Sequence, residues 1–127
     1  MKSTNHLTAA QRRELEAMLR QKWQELTTQL KENRAAVAAQ QSVGDEADQA
    51  TEDARVSLGT RLIDRNAKLL REVERALDKI KDNTYGLCEG TDEPIGYARL
   101  KLRPWTRYSV TYKEELERET DRSMSPG

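Results

Sequence analysis

Phenylalanine is absent from this 127-residue chain, and two Trp and four Tyr are its only aromatic residues. At 35% hydrophobic and 35% charged it lacks the material for a thick globular core, so one elongated, mainly helical domain suits the composition better. Cys88 stands alone, which excludes an internal disulfide and any single-chain thiolate cluster around a metal. The single histidine, His6, lies in an N-terminal stretch read as disordered, and no nucleophile–base pair accompanies it, which argues against an enzyme. No apolar run approaches the roughly 18 residues a membrane span needs, and "MKSTNHLTAAQRR" has no signal-like segment, so no membrane association and a cytoplasmic location are expected. An excess of either charge is also missing, with 22 Lys+Arg against 22 Asp+Glu, which excludes a general nucleic-acid binder.

What is present is periodicity. Thr8 and Gln11 form a capping-box pattern that starts a helix. Leu15, Leu19, Trp23, Leu26, Leu30 and Val37 then recur at helical spacing as one apolar stripe. Ser42-Val43-Gly44 breaks it, because glycine in a helix interior costs about 1 kcal/mol. A second stripe runs Leu58, Leu62, Leu69, Val73, Ala76 with Leu77, and Ile80, until "DNTYG" stops it at Asn83 and Gly86. Two helices of about 33 residues, each roughly 50 Å long at 1.5 Å rise per residue, are joined by a short connector and should pair as an antiparallel coiled-coil hairpin. Asn33 and Asn66 fall on or near that seam and would fix its register.

Past Tyr85 the pattern changes. Gly86, Gly90, Gly96, Pro94 and Pro104 mark a turn-rich module with two short strands expected around Gly96 to Lys101, and "SVTYKEELERETDR" is a final helix capped by Ser109 or Thr111. The expected division is residues 1–83 for the N-terminal helix and hairpin, with its tip near 43–51, and 84–127 for the module and last helix. Gly44 to Asp53 holds Asp45, Glu46, Asp48, Glu52 and Asp53 and no cation, which suits a helix N-terminus. A calcium loop is excluded there, since Ala47 and Ala50 stand where its pattern needs a ligand and a glycine.

Cys88-x-x-Thr91 and Ser109-x-x-Tyr112 have the spacing of a four-cysteine zinc site in which one thiol remains. With Asp45-x-x-Asp48-x-Ala50-Thr51, Ser57-Leu58, Asp64-x-x-x-Lys68-Leu69 and "YGLCE…IG…RL…RP…YK" from Tyr85 to Lys113, the chain resembles the DksA/TraR family over about residues 35 to 120. The departures at Thr91, Ser109 and Tyr112 resemble its cysteine-poor, zinc-independent branch, so these and Cys88 are read as vestigial ligand positions and no zinc is expected. Packing by Tyr85, Leu87, Ile95, Tyr97, Leu100, Leu102, Trp105, Tyr108, Val110, Tyr112 and Leu116 would replace the metal. Cys88 itself is expected to be a buried remnant with nothing cationic fixed beside it.

The resemblance implies a monomeric transcription regulator that enters the secondary channel of bacterial RNA polymerase and modulates open-complex stability in the stress response, without sequence-specific DNA contact. It puts Asp45, Asp48 and Ala50 on the tip directed at the polymerase active site, and Arg61 and Arg65 against the channel rim on the largest subunit. It also puts Lys68, Leu69, Arg103 and Lys113 at contacts to the effector ppGpp, while Glu72 stands where the family pattern has a lysine and would repel phosphate. The competing class is a structural or adaptor coiled coil, for which tip substitutions would be silent and the apolar stripe would mediate self-association.

Overall fold

The computed structural model describes residues 6–41 and 49–124. Four helices follow in order: α1 (Ala9–Gln41), α2 (Gln49–Lys81), α3 (Tyr97–Leu102) and α4 (Val110–Met124). α1 and α2 are 33 residues each, as the periodicity predicts. Among the described residues the only β pairing is an isolated antiparallel bridge between Leu87 and Pro94. The chain forms two compact units, Arg20–Glu74 and Met1–Leu19 with Arg75–Gly127.

In the first of these, residues of α1 and α2 close a seam. Leu26, Leu30 and Val73 are buried, with Asn33, Val37, Val56, Gly59, Ile63, Asn66 and Leu70 half-buried. On α2 that series steps by three and four residues, the heptad rhythm of a coiled coil. It keeps Leu26, Leu30, Val37 and Val73 of the stripes expected from sequence but departs from them at three positions: Leu58 and Leu62 are 54% and 39% exposed, and Trp23 on α1 is 40% exposed while Lys22 is half-buried beside it. The cause is local. Gly59 occupies the seam, and a carbon added there would lie 2.5 Å from Val37 Cγ2, so the helices meet through a glycine that hydropathy does not register.

The other unit is organised around Leu15, Leu19, Ala76, Tyr85, Cys88, Ile95 and Leu100, all at most 4% exposed. The capping box is present: the Thr8 amide donates to Gln11 Oε1 and the Gln11 amide to Thr8 Oγ1, both at 3.0 Å. His6 is ordered, contrary to the expectation of a disordered segment, because Leu7 is 3% exposed and the His6 ring is hydrogen-bonded to the Ile95 carbonyl at 2.9 Å. α2 ends in a Schellman arrangement, with Thr84 N–H to Lys79 O at 2.9 Å, Asn83 N–H to Ile80 O at 3.3 Å, and Asn83 left-handed at φ 60°.

The strands expected at Gly96 to Lys101 are replaced by α3. Leu100 and Leu102 alternate as a strand would, yet Leu100 is fully buried and Leu102 is 81% exposed, since residues two apart on a helix point to opposite sides. Ala98, Arg99, Leu100 and Lys101 are all good helix formers. α3 is held to α1 by the Tyr97 hydroxyl donating to Glu14 Oε2 at 2.7 Å and by Lys101 at 3.8 Å from Glu14 Oε1.

Candidate functional site

The turn-rich module is built as two knuckles. In the first, the Cys88 amide donates to Glu93 O, the Asp92 amide to Cys88 O, and the Ile95 amide to Gly86 O, between 2.6 and 2.8 Å. In the second, Thr106 N–H donates to Arg103 O, and the Ser109 hydroxyl caps α4 by accepting from the Tyr112 amide at 3.2 Å. The Glu89 amide donates to Arg107 O at 2.8 Å and joins the two. The Tyr85 hydroxyl, buried, donates to Pro104 O at 2.8 Å from below.

The four positions with zinc-ligand spacing come together around Cys88, which is fully buried and unpaired. Burial pushes its thiol up, but hydrogen bonds from the Thr91 hydroxyl, the Ser109 and Gly90 amides and the Ser109 hydroxyl outweigh that and bring it down to about 7. The Tyr112 ring occupies the space over Gly90 and stacks tilted on Tyr108 at 5.2 Å between centroids. One thiol and three hydroxyls is a donor set that does not fit a structural zinc ion, and here the Thr91 and Ser109 hydroxyls are engaged with the thiol and, for Ser109, with the start of α4. Of the apolar residues expected to pack this module, Leu102 and Val110 do not, at 81% and 49% exposed.

A second device carries no sequence periodicity and is missed by pattern reading. Glu89 Oε1 accepts from Arg75 Nη1 at 3.0 Å and lies 3.4 Å from Lys79 Nζ, while Arg107 Nε donates to Oε2. One carboxylate thus fastens both knuckles to the last turns of α2. Burial alone would raise the Glu89 carboxyl, yet the hydrogen bonds from Arg107 and Arg75 and the Lys79 charge hold it below its ordinary value. Lys79 is also lowered, because desolvation outweighs Glu89 there. Glu89 is ionised at neutral pH, since its shift takes it further below the ordinary carboxylate value. Lys79, Leu87, Cys88, Glu89 and Thr91 line a cavity of about 420 Å³, in which Lys79 is paired with Glu89 and the groups that lower the thiol are hydrogen-bond donors of Thr91, Ser109 and Gly90. Among the described residues no three His, Cys, Asp or Glu side chains converge as a metal site.

Of the other residues singled out from sequence, Asp45 and Asp48 lie outside the described residues. Ala50 is exposed in the first turn of α2. Arg61 and Arg65 are exposed on α2, with Arg61 Nε donating to Ser57 O at 3.4 Å. Lys68 is exposed and Leu69 half-buried in one unit, while Arg103 and Lys113 are exposed in the other. No described helix is long and apolar enough to cross a membrane.

Comparison with known proteins agrees with this architecture. Residues 11–80 match the DnaK suppressor protein DksA N-terminal domain, and residues 83–118 match the prokaryotic dksA/traR C4-type zinc finger. The chain is 40% identical over 93 residues to the RNA polymerase-binding transcription factor DksA of Caulobacter vibrioides, covering 70% of this chain and 66% of that protein. It is 34% identical over 73 residues to the protein of that name from Escherichia coli, covering 58% of this chain and 48% of the relative. The chain therefore spans just under two thirds of the Caulobacter relative and about half of the other. The solved structure of transcription factor DksA2 from Pseudomonas aeruginosa aligns over 89% of this chain and 88% of that one, with a TM-score of 0.80 at 31% identity. With one family model covering both long helices and a second covering the knuckles that follow, the chain belongs to the DksA/TraR family.

Proposed function

We propose that this protein is a regulator of transcription initiation that binds bacterial RNA polymerase through its secondary channel and acts there without catalysis. The observation that carries the proposal is the family match over residues 11–80 and 83–118, together with three acids, Asp45, Glu46 and Asp48, in the seven residues between two 33-residue helices. The Caulobacter and Escherichia coli relatives are named RNA polymerase-binding transcription factors. Carboxylates brought near a metal-and-nucleotide centre in a low-dielectric channel change its electrostatics without bond chemistry. On this reading Asp45, Asp48 and Ala50 meet the active-site region, Arg61 and Arg65 meet the rim of the largest subunit, and the protein acts as a cytoplasmic monomer. The functional division falls at residues 83 and 84, with the hairpin as the active part and the module as its base.

ppGpp is the proposed effector, contacted by Lys68, Leu69, Arg103 and Lys113, with half-buried Glu72 opposing the phosphates. The module is proposed to fold without zinc, its two knuckles joined by the Cys88 hydrogen bonds, the Tyr112 ring and Glu89. Metal analysis of protein purified with added zinc tests this, and stoichiometric retained zinc would refute it. The regulatory proposal is tested by transcription from a ribosomal and an amino-acid promoter with purified polymerase, with and without ppGpp. Repression of the first is expected; unchanged output from both promoters would favour the adaptor class.

A further inference from the structure

Glu52, in the first turn of α2, is a carboxylate at a seam position. The seam residues of that helix fall at 52, 56, 59, 63, 66, 70 and 73, in steps of four and three, and Glu52 is the charged one among them. Its side chain is 17% exposed, whereas Thr51 and Asp53 on either side face solvent. Glu52 Oε2 is closed off from solvent and has no hydrogen-bond partner, which holds of no other buried side-chain oxygen or nitrogen among the described residues. Oε1 lies 3.8 Å from Arg55 Nη1, and Arg55 is 61% exposed, so that ion pair contributes little. The N-terminus of α2 favours negative charge at this position but supplies Oε2 with no donor.

Packing weakens towards the same end. Leu26 and Leu30 on α1 and Val73 on α2 are buried, while Asn33, Val37, Val56, Gly59 and Ile63 are half-buried, and Asn33 and Gly59 bring no apolar side chain to the seam. A buried polar atom without a partner costs the desolvation of its group, and that cost is relieved once the carboxylate reaches water. A leucine at position 52 would seal this end of the seam; the glutamate lowers the free energy of opening it.

We infer that Glu52 is a built-in release point: the first turns of α2, about residues 49–58, part from α1 and re-close while the seam through Asn66, Leu70 and Val73 stays shut. The use made of this opening rests on the polymerase reading. It gives the end of the hairpin next to Asp45, Glu46 and Asp48 in sequence more than one arrangement, so that end reshapes against a target where a fully zipped coil would fit only as built.

The test is hydrogen exchange of the full chain read by mass spectrometry, for the wild type, Glu52→Leu and Glu52→Gln, beside the lifetime of open complexes with purified polymerase. Glu52→Leu should slow exchange of the amides at 50–58 by about tenfold or more and leave those at 66–73 unchanged, while Glu52→Gln, whose amide is equally without a partner, should stay close to the wild type. Glu52→Leu should also bind polymerase as tightly as the wild type and shorten the open-complex lifetime less. Ordinary fraying of a helix end would leave the exchange of Glu52→Leu equal to that of the wild type, and that result would overturn the release point. Slowed exchange with undiminished action on open complexes would overturn its use while the polymerase reading stands. If the wild type has no effect on polymerase, that reading falls, and the exchange result alone decides whether this end opens.

Discussion

The Tyr112 ring lies against the backbone of Gly90 so closely that a side-chain carbon at position 90 would overlap Cζ, Cε1 and Cε2. The two residues come from different knuckles, so the contact is one of the ways the module is closed. Gly90→Ala should destabilise the protein by about 1–3 kcal/mol through overpacking. In a Tyr112→Ala background the same change should cost much less, and a double-mutant cycle by chemical denaturation reads the coupling directly. Additive effects would show that ring and glycine do not touch.

Gly59 makes the corresponding prediction in the seam. Glycine to alanine in a helix interior ordinarily stabilises by about 1 kcal/mol, but here the added methyl meets Val37 Cγ2 at 2.5 Å. The sign should reverse, with Gly59→Ala lowering the melting temperature and Val37→Ala restoring it in part.

Glu89 sets an acid-side pH dependence. Its folded pKa is depressed below the ordinary 4.5, so its contribution is fully present above that value and is lost as pH falls through the lower folded value. Glu89→Gln should lose about 1–3 kcal/mol at neutral pH, because it leaves three cations facing an uncharged group. The variant's denaturation midpoint should also change less than the wild type's between pH 5 and pH 3. Equal slopes would remove the carboxylate from the account.

Cys88 should titrate early. Absorbance of the thiolate at 240 nm should rise with a midpoint of about 7, and Thr91→Val should move that midpoint upward, because it deletes a hydroxyl that favours the charged form while burial remains. Since the folded thiol is depressed from 9.0, its stabilising contribution is complete above that value and declines as pH falls through about 7.

Much of this was legible from the residues. Both long helices, the Thr8–Gln11 cap, the stop at Asn83 and the Ser109 cap are local or periodic features, and each is found in the structure. The phase of the second helix was not legible from hydropathy, because its seam runs through Gly59 and Asn66 while Leu58 and Leu62 face outward. The spacing of Cys88, Thr91, Ser109 and Tyr112 pointed to one converging site, but their hydrogen-bonding roles needed coordinates. The Glu89 cluster joins Arg75, Lys79 and Arg107 across up to 18 positions of sequence, and no short-range pattern announces it. The order of His6 is not legible in the sequence for the same reason, since its partner Ile95 is 89 residues away.

The most direct test of the central proposal is the lifetime of competitor-challenged open complexes at a ribosomal promoter, with purified polymerase and either the wild-type chain or Asp48→Asn. The proposal predicts that the wild type shortens the lifetime severalfold, and that Asp48→Asn binds polymerase with similar affinity but leaves the lifetime unchanged. A wild type without effect, or an Asp48→Asn variant that shortens the lifetime equally, would contradict it.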